Sequence, residues 1–105
     1  MRRAGKTTAV DPAPLPMLVF FTRSTSGPAR RMESLLAHVA RKERDRLRVR
    51  RVDSDEHSEL LSKFAVDEVP SLVLVVEQRV VARLDGRANL PQIEQLLEEH
   101  LATPV

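Results

Sequence analysis

The sequence predicts a single α/β domain with the element order β-α-β-α-β-β-α, and three observations lead there. Short apolar runs that read as buried strands, Met17–Phe21 and Leu72–Val76, alternate with segments whose apolar residues recur at helical spacing. A chain of 105 residues, 42% hydrophobic and 30% charged, is long enough for one modest core. No internal repeat and no shift in composition marks a second domain.

Taken in order, residues 1–14 read as a flexible lead-in. Small and polar residues mix there with Asp11-Pro12-Ala13-Pro14, and proline cannot donate to a sheet ladder. The domain proper occupies 15–102, and 103–105 form a short tail. Met17–Phe21 is the first strand, buried on both faces. The hydroxyl-rich loop Thr22–Gly27 follows it, and Pro28 opens a helix in the position proline favours. That helix is expected to run to about Asp45, with Met32, Leu35, Leu36 and Val39 as its apolar stripe. Leu47–Asp53 reads as a strand with one wet face, which requires a slip near Arg50-Arg51 to turn Val52 inward. Asp55 or Ser54 is expected to cap a short helix carrying Leu60, Leu61 and Phe64. Val66–Pro70 connects to the strand Ser71–Val76. Glu77-Gln78 turns that strand into Arg79–Leu84, and Asp85-Gly86 ends the hairpin. Asn89 or a neighbour starts the last helix, whose face is Leu90, Ile93, Leu96, Leu97 and Leu101.

Composition narrows the function. The chain has no cysteine, no tryptophan and no tyrosine, so it holds no disulfide and no thiolate metal site. Scarce aromatics argue against a nucleic-acid surface built on base stacking. Net charge is only +2, although fourteen Arg stand against three Lys. The run Arg41–Arg51 is basic, but Glu43 and Asp45 interrupt it, and pairs such as Arg41–Asp45 would neutralise part of it. It reads as a solvated face. No apolar run is long enough to span a bilayer and no secretory h-region follows the basic start, so the expected location is cytoplasmic. His38, His57 and His100 have no partners at metal-ligand spacing, and neither a metal nor a cofactor is expected.

Certain residues at these places resemble the thioredoxin family. Where thioredoxins carry Trp-Cys-Gly-Pro-Cys between strand and helix, this chain reads Thr25-Ser26-Gly27-Pro28-Ala29. Val69-Pro70-Ser71 stands where the family has a Val/Ile-Pro-Thr step with a cis proline. Val52–Phe64 looks like the family's second β-α unit, and Gly86 matches the glycine beside the active-site groove. The resemblance spans roughly Leu15 to Leu101. It implies a thioredoxin-like fold, a central mixed sheet of about four strands flanked by three helices, with a shortened N-terminus. Such shortening would leave a sheet edge or apolar face free, which allows a homodimer.

The departures bear on chemistry. Ser26 stands in place of the attacking cysteine and Ala29 in place of the resolving one. Phe20 occupies the position of the buried acid, and Thr25 replaces the tryptophan. Thiol exchange needs a thiolate, which a serine hydroxyl cannot replace near neutral pH. Losing the acid and the tryptophan as well argues for natural loss over an engineered pair of substitutions.

The resemblance leaves the binding half of the machinery: a groove lined by Thr25, Ser26, Pro28, Val69, Pro70, Gly86 and Arg87 that would take an unidentified protein or extended peptide. An alternative is a small glutathione- or thiol-binding domain. There the Ser26 hydroxyl at the helix N-terminus would act near Arg23 and Arg30, as in serine-type glutathione transferases of this fold. Against it, Ser26 also suits a simple N-cap, and no second domain is present.

Overall fold

The computed structural model of the chain describes residues 15–23 and 27–101. The lead-in 1–14, the tail 103–105, and Thr25 and Ser26 lie outside the described residues, as do the side chains of Pro28 and Ala29. The elements are β1 (Met17–Thr22), α1 (Gly27–Lys42), β2 (Arg48–Asp53), α2 (Ser58–Lys63), β3 (Ser71–Val76), β4 (Arg79–Asp85) and α3 (Leu90–His100). The strands form one mixed sheet in the order β2-β1-β3-β4. β1 pairs parallel with β2 and antiparallel with β3, and β3 pairs antiparallel with β4.

Alternation along the central strands sends side chains to two faces, and each face has its own core. Leu18 and Phe20 of β1 and Leu72 and Leu74 of β3 join Met32, Leu36 and Val39 of α1 and Ile93, Leu96 and Leu97 of α3. On the other face Val19, Phe21, Val52 and Val73 are packed by Leu60, Leu61 and Phe64 from and beside α2. The Phe21 and Phe64 rings meet at 5.7 Å, tilted by 57°. Having only six residues and none buried, α2 covers part of this face. The Arg83 guanidinium holds its C-terminal end, donating to the Phe64 carbonyl at 3.2 Å and to Ala65 O at 2.8 Å.

Several expectations need correction. α1 stops at Lys42 rather than near Asp45, because Glu43–Arg46 folds into a turn. Within it, Arg46 Nε donates to Glu43 Oε1 at 2.6 Å. With the helix already ended, the expected Arg41–Asp45 pair does not form among the described residues. The observed pairs of this run are Glu43–Arg46, Lys42–Glu94, Arg51–Glu33 and Arg51–Asp53.

β2 needs no slip. Its register with β1 runs unbroken from Met17↔Arg48 to Thr22↔Asp53. Leu47 and Val49 pack on the α1 side and Val52 on the α2 side, so both faces are partly covered and neither alternation breaks. Neither Asp55 nor Ser54 caps α2: the N-cap residue is His57, without a side-chain hydrogen bond. Asp53 instead closes an Asx-type turn, its Oδ1 accepting the Asp55 N–H at 2.8 Å.

The hairpin follows expectation at its turn, where Glu77 and Gln78 both have positive φ (51° and 68°). A two-residue type I′ connection demands that backbone. Between Leu74↔Ala82 and Val75↔Val80 the register shifts, leaving Val81 as a bulge. α3 starts at Asn89 with a capping box: Asn89 Oδ1 accepts the Gln92 N–H and Gln92 Oε1 accepts the Asn89 N–H, each at 2.9 Å. No helix among the described residues is long and apolar enough to cross a membrane.

Candidate functional site

Strand direction gathers the candidate site. β1 ends at Thr22, β3 starts at Ser71 and β4 ends at Asp85, and the register aligns Phe21 with Ser71 and Ser71 with Asp85. Three neighbouring strand ends therefore lie side by side across about 10 Å. The start of α1, with Pro28 and Ala29 in its first turn, the Val69-Pro70 step and Gly86-Arg87 all belong to this end.

The Val69–Pro70 peptide is cis, with Pro70 buried and Val69 half-buried. Ser71, fully buried, donates from Oγ to the Glu68 carbonyl at 2.5 Å and ties the turn to the start of β3. Gly86 has φ +84°, a backbone that L side chains rarely adopt. A Cβ built on it would lie 3.5 Å from Glu68 Oε2, so the hairpin end rests beside the turn before Pro70.

The structure thus sets Gly86 beside the turn that leads into Val69-Pro70, with Arg87 next along the chain toward α3. Arg23, which the thiol reading placed near Ser26, makes a 3.7 Å ion pair with Asp55, and both partners are exposed.

Sequence reasoning missed Arg31. A cavity of about 360 Å³ between α1 and the approach to α3 is lined by Arg31 and Arg87 together with Met32, Leu35, Asn89 and Gln92. The doublet Arg30-Arg31 did not reveal which arginine would face α3. Once Met32 is fixed in the core, the helical phase decides it. A second omission is the pair of hydroxyls under this end of the sheet. Thr22 Oγ1 and Ser54 Oγ are buried and have no hydrogen-bond partner among the described residues. Beside them, the Ser54 N–H donates to the Thr22 carbonyl at 2.8 Å.

Comparison with known proteins decides the family: the thioredoxin family model matches residues 7–99. The chain belongs to the thioredoxin family. A thioredoxin of Alicyclobacillus acidocaldarius is 33% identical over 86 residues, covering 82% of each chain. A thioredoxin-like protein of Synechocystis is 28% identical, also with 82% of each covered. Among solved structures, a mutant thioredoxin from Halobacterium salinarum superposes with a TM-score of 0.76 at 26% identity, over 86% of this chain and 78% of that one.

Within this thioredoxin-family fold the position of the acid is filled by the Phe20 ring, 1% exposed and packed in the α1–α3 core. No proton-accepting group stands there. With no cysteine anywhere in the sequence, this thioredoxin-family chain has no thiolate with which to attack a disulfide. Among the described residues, no group of three or more His, Asp or Glu side chains gathers as a metal site. The basic run is dispersed: Arg51 pairs with Glu33 at 3.3 Å on the α1 side, while Arg50 lines the opposite face.

Proposed function

We propose that this chain is a non-redox binding module that holds an extended protein segment across the end of the sheet, between the α1 start and the Val69–Pro70 and Gly86–Arg87 segments. The observation that carries the reading is the Val69 backbone. Its N–H and C=O make no backbone hydrogen bond among the described residues, although Val69 stands only two residues before the paired start of β3 at Ser71. A backbone donor and acceptor left open beside a strand can pair with an incoming extended chain. Gly86 supports the same reading, because its missing side chain keeps the opposite side of the turn low. Absence of cysteine removes covalent capture, so the complex is held by backbone pairing and side-chain contacts alone.

The test is capture from native lysate by the wild-type domain and by Ser26→Trp, a bulky change at the position that the family resemblance assigns to the groove. A partner retained by the wild type and lost with Ser26→Trp supports the reading. Equal capture by both rejects it.

A further inference from the structure

Another cavity lies away from that site, on the α2 face of the sheet. It encloses about 500 Å³, inside the roughly 300–1,000 Å³ range of small-molecule sites. Met17 and Val19 of β1, Val52 of β2 and Val75 of β3 form its floor, with Leu60 and Phe64 as a wall. Among the described residues the short α2 covers the Phe21 end of this face and leaves the Met17 and Val75 end open.

Its polar groups are few and unevenly placed. Arg50 on β2 and Lys63 in the last turn of α2 line it, as do Glu77 and Gln78 of the hairpin turn. Among the described residues neither Arg50 nor Lys63 has an ion-pair partner. β2 and β3 flank β1, so Arg50 stands two strand spacings, about 10 Å, from the strand leading into Glu77.

We infer that this cavity binds a small amphipathic carboxylate of the medium-chain fatty-acid type, with its hydrocarbon tail on the Met17–Val75 floor and its carboxylate at Arg50 and Lys63. An apolar floor supplies the affinity, and two cations without partners select the sign of the head group. The chain's own first fourteen residues make a poor occupant. They carry Arg2, Arg3 and Lys6 against a single Asp11, and between Arg2 and Pro14 their one aliphatic side chain larger than alanine is Val10. A second copy of this chain would bring the same Arg50 and Lys63 toward themselves across a two-fold axis.

Titration of the full chain with sodium decanoate, followed by amide chemical shifts, tests the inference. Decanoate is expected to move the amides of Val19, Arg50, Val52 and Lys63. The cation decyltrimethylammonium, matched in chain length but of opposite charge, should bind at least tenfold more weakly. Arg50→Glu combined with Lys63→Glu should weaken decanoate at least tenfold while the circular dichroism spectrum stays that of the wild type, since both residues are exposed. Equal binding of decanoate and the cation would overturn the inference, as would shifts confined to α1 and α3. A dimer in sedimentation that contacts through these same amides would give the face to a second copy. A gain of tenfold or more on deleting residues 1–14 would give it to the chain's own N-terminal segment. Neither of these outcomes bears on the Val69 groove, which Ser26→Trp tests separately.

Discussion

Replacing Thr22 with valine is expected to stabilise the domain. Thr22 is 0% exposed and shares the α1 face of β1 with Leu18 and Phe20, yet its Oγ1 has no hydrogen-bond partner among the described residues. A buried hydroxyl left unpaired costs about 1–3 kcal/mol. Valine keeps the branched shape and the strand preference and puts a methyl where the hydroxyl was. The net gain is then about 1–2 kcal/mol, since the new methyl must still fit a close-packed site. For a domain of this size each kcal/mol moves Tm by roughly 4–8 °C.

Thermal melts and urea titrations of the wild type, Thr22→Val and Ser54→Ala measure this directly. Ser54→Ala should show a smaller gain, because Ser54 keeps 7% exposure and alanine adds no methyl in place of the hydroxyl. A lower Tm for Thr22→Val would refute the reasoning. It would mean that the hydroxyl has a partner such as a bound water, and that this end of the sheet is wired for hydrogen bonding.

Two further perturbations probe other contacts. Arg83→Met removes the donors to Phe64 O and Ala65 O, and should cost about 1–2 kcal/mol. Amide exchange should accelerate selectively in α2, and unchanged exchange there would mean that packing alone holds the helix. The Arg46 hydrogen bond holds the Glu43 carboxyl below its ordinary value of 4.5. A lowered folded-state value contributes stability above the ordinary one, and that contribution is lost as pH falls through the folded-state value. Glu43→Gln should therefore be about 0.5–1 kcal/mol less stable than wild type at pH 7. Urea midpoints measured down to acid pH should converge below 4.5, and a constant gap would contradict the assignment.

Much of the fold is legible in the sequence where one physical signal acts alone. Met17–Phe21 and Ser71–Val76 are buried on both faces, so their continuous apolar runs mark them. Asn89 marks the start of α3 by its suitability as an N-cap, while the Gln92 half of the capping box appears only in the structure. Legibility fails where two influences compete. Val49 and Val52 face opposite cores, and a sequence read with one buried face turns that into a slip the backbone does not contain. The helical pattern of α1 continues through charged residues past Lys42, and only the Glu43–Arg46 contact shows where the helix stops. At the candidate site, the family resemblance points to the Val69–Pro70 step and to Gly86, and their backbones show a cis peptide and a positive φ. Arg31 was not legible, because its place depends on helix phase. The Arg50–Lys63 cavity was equally hidden, since the shortness of α2 that opens it appears only once the helix is bounded.

The order β2-β1-β3-β4 has a consequence for how the chain behaves in a crowd. Among the described residues β2 and β4 are the outer strands of this sheet, each with a row of backbone groups that no described strand pairs. β2 carries Arg48, Arg50 and Arg51 along that edge, and β4, which exposes Val80 and Val81, is broken by a bulge at Val81. Like charges oppose one another when two β2 strands approach, and a bulge spoils the match when two β4 strands do. The arginines of β2 thereby set positive charge along the border of the sheet, where a second strand would have to approach.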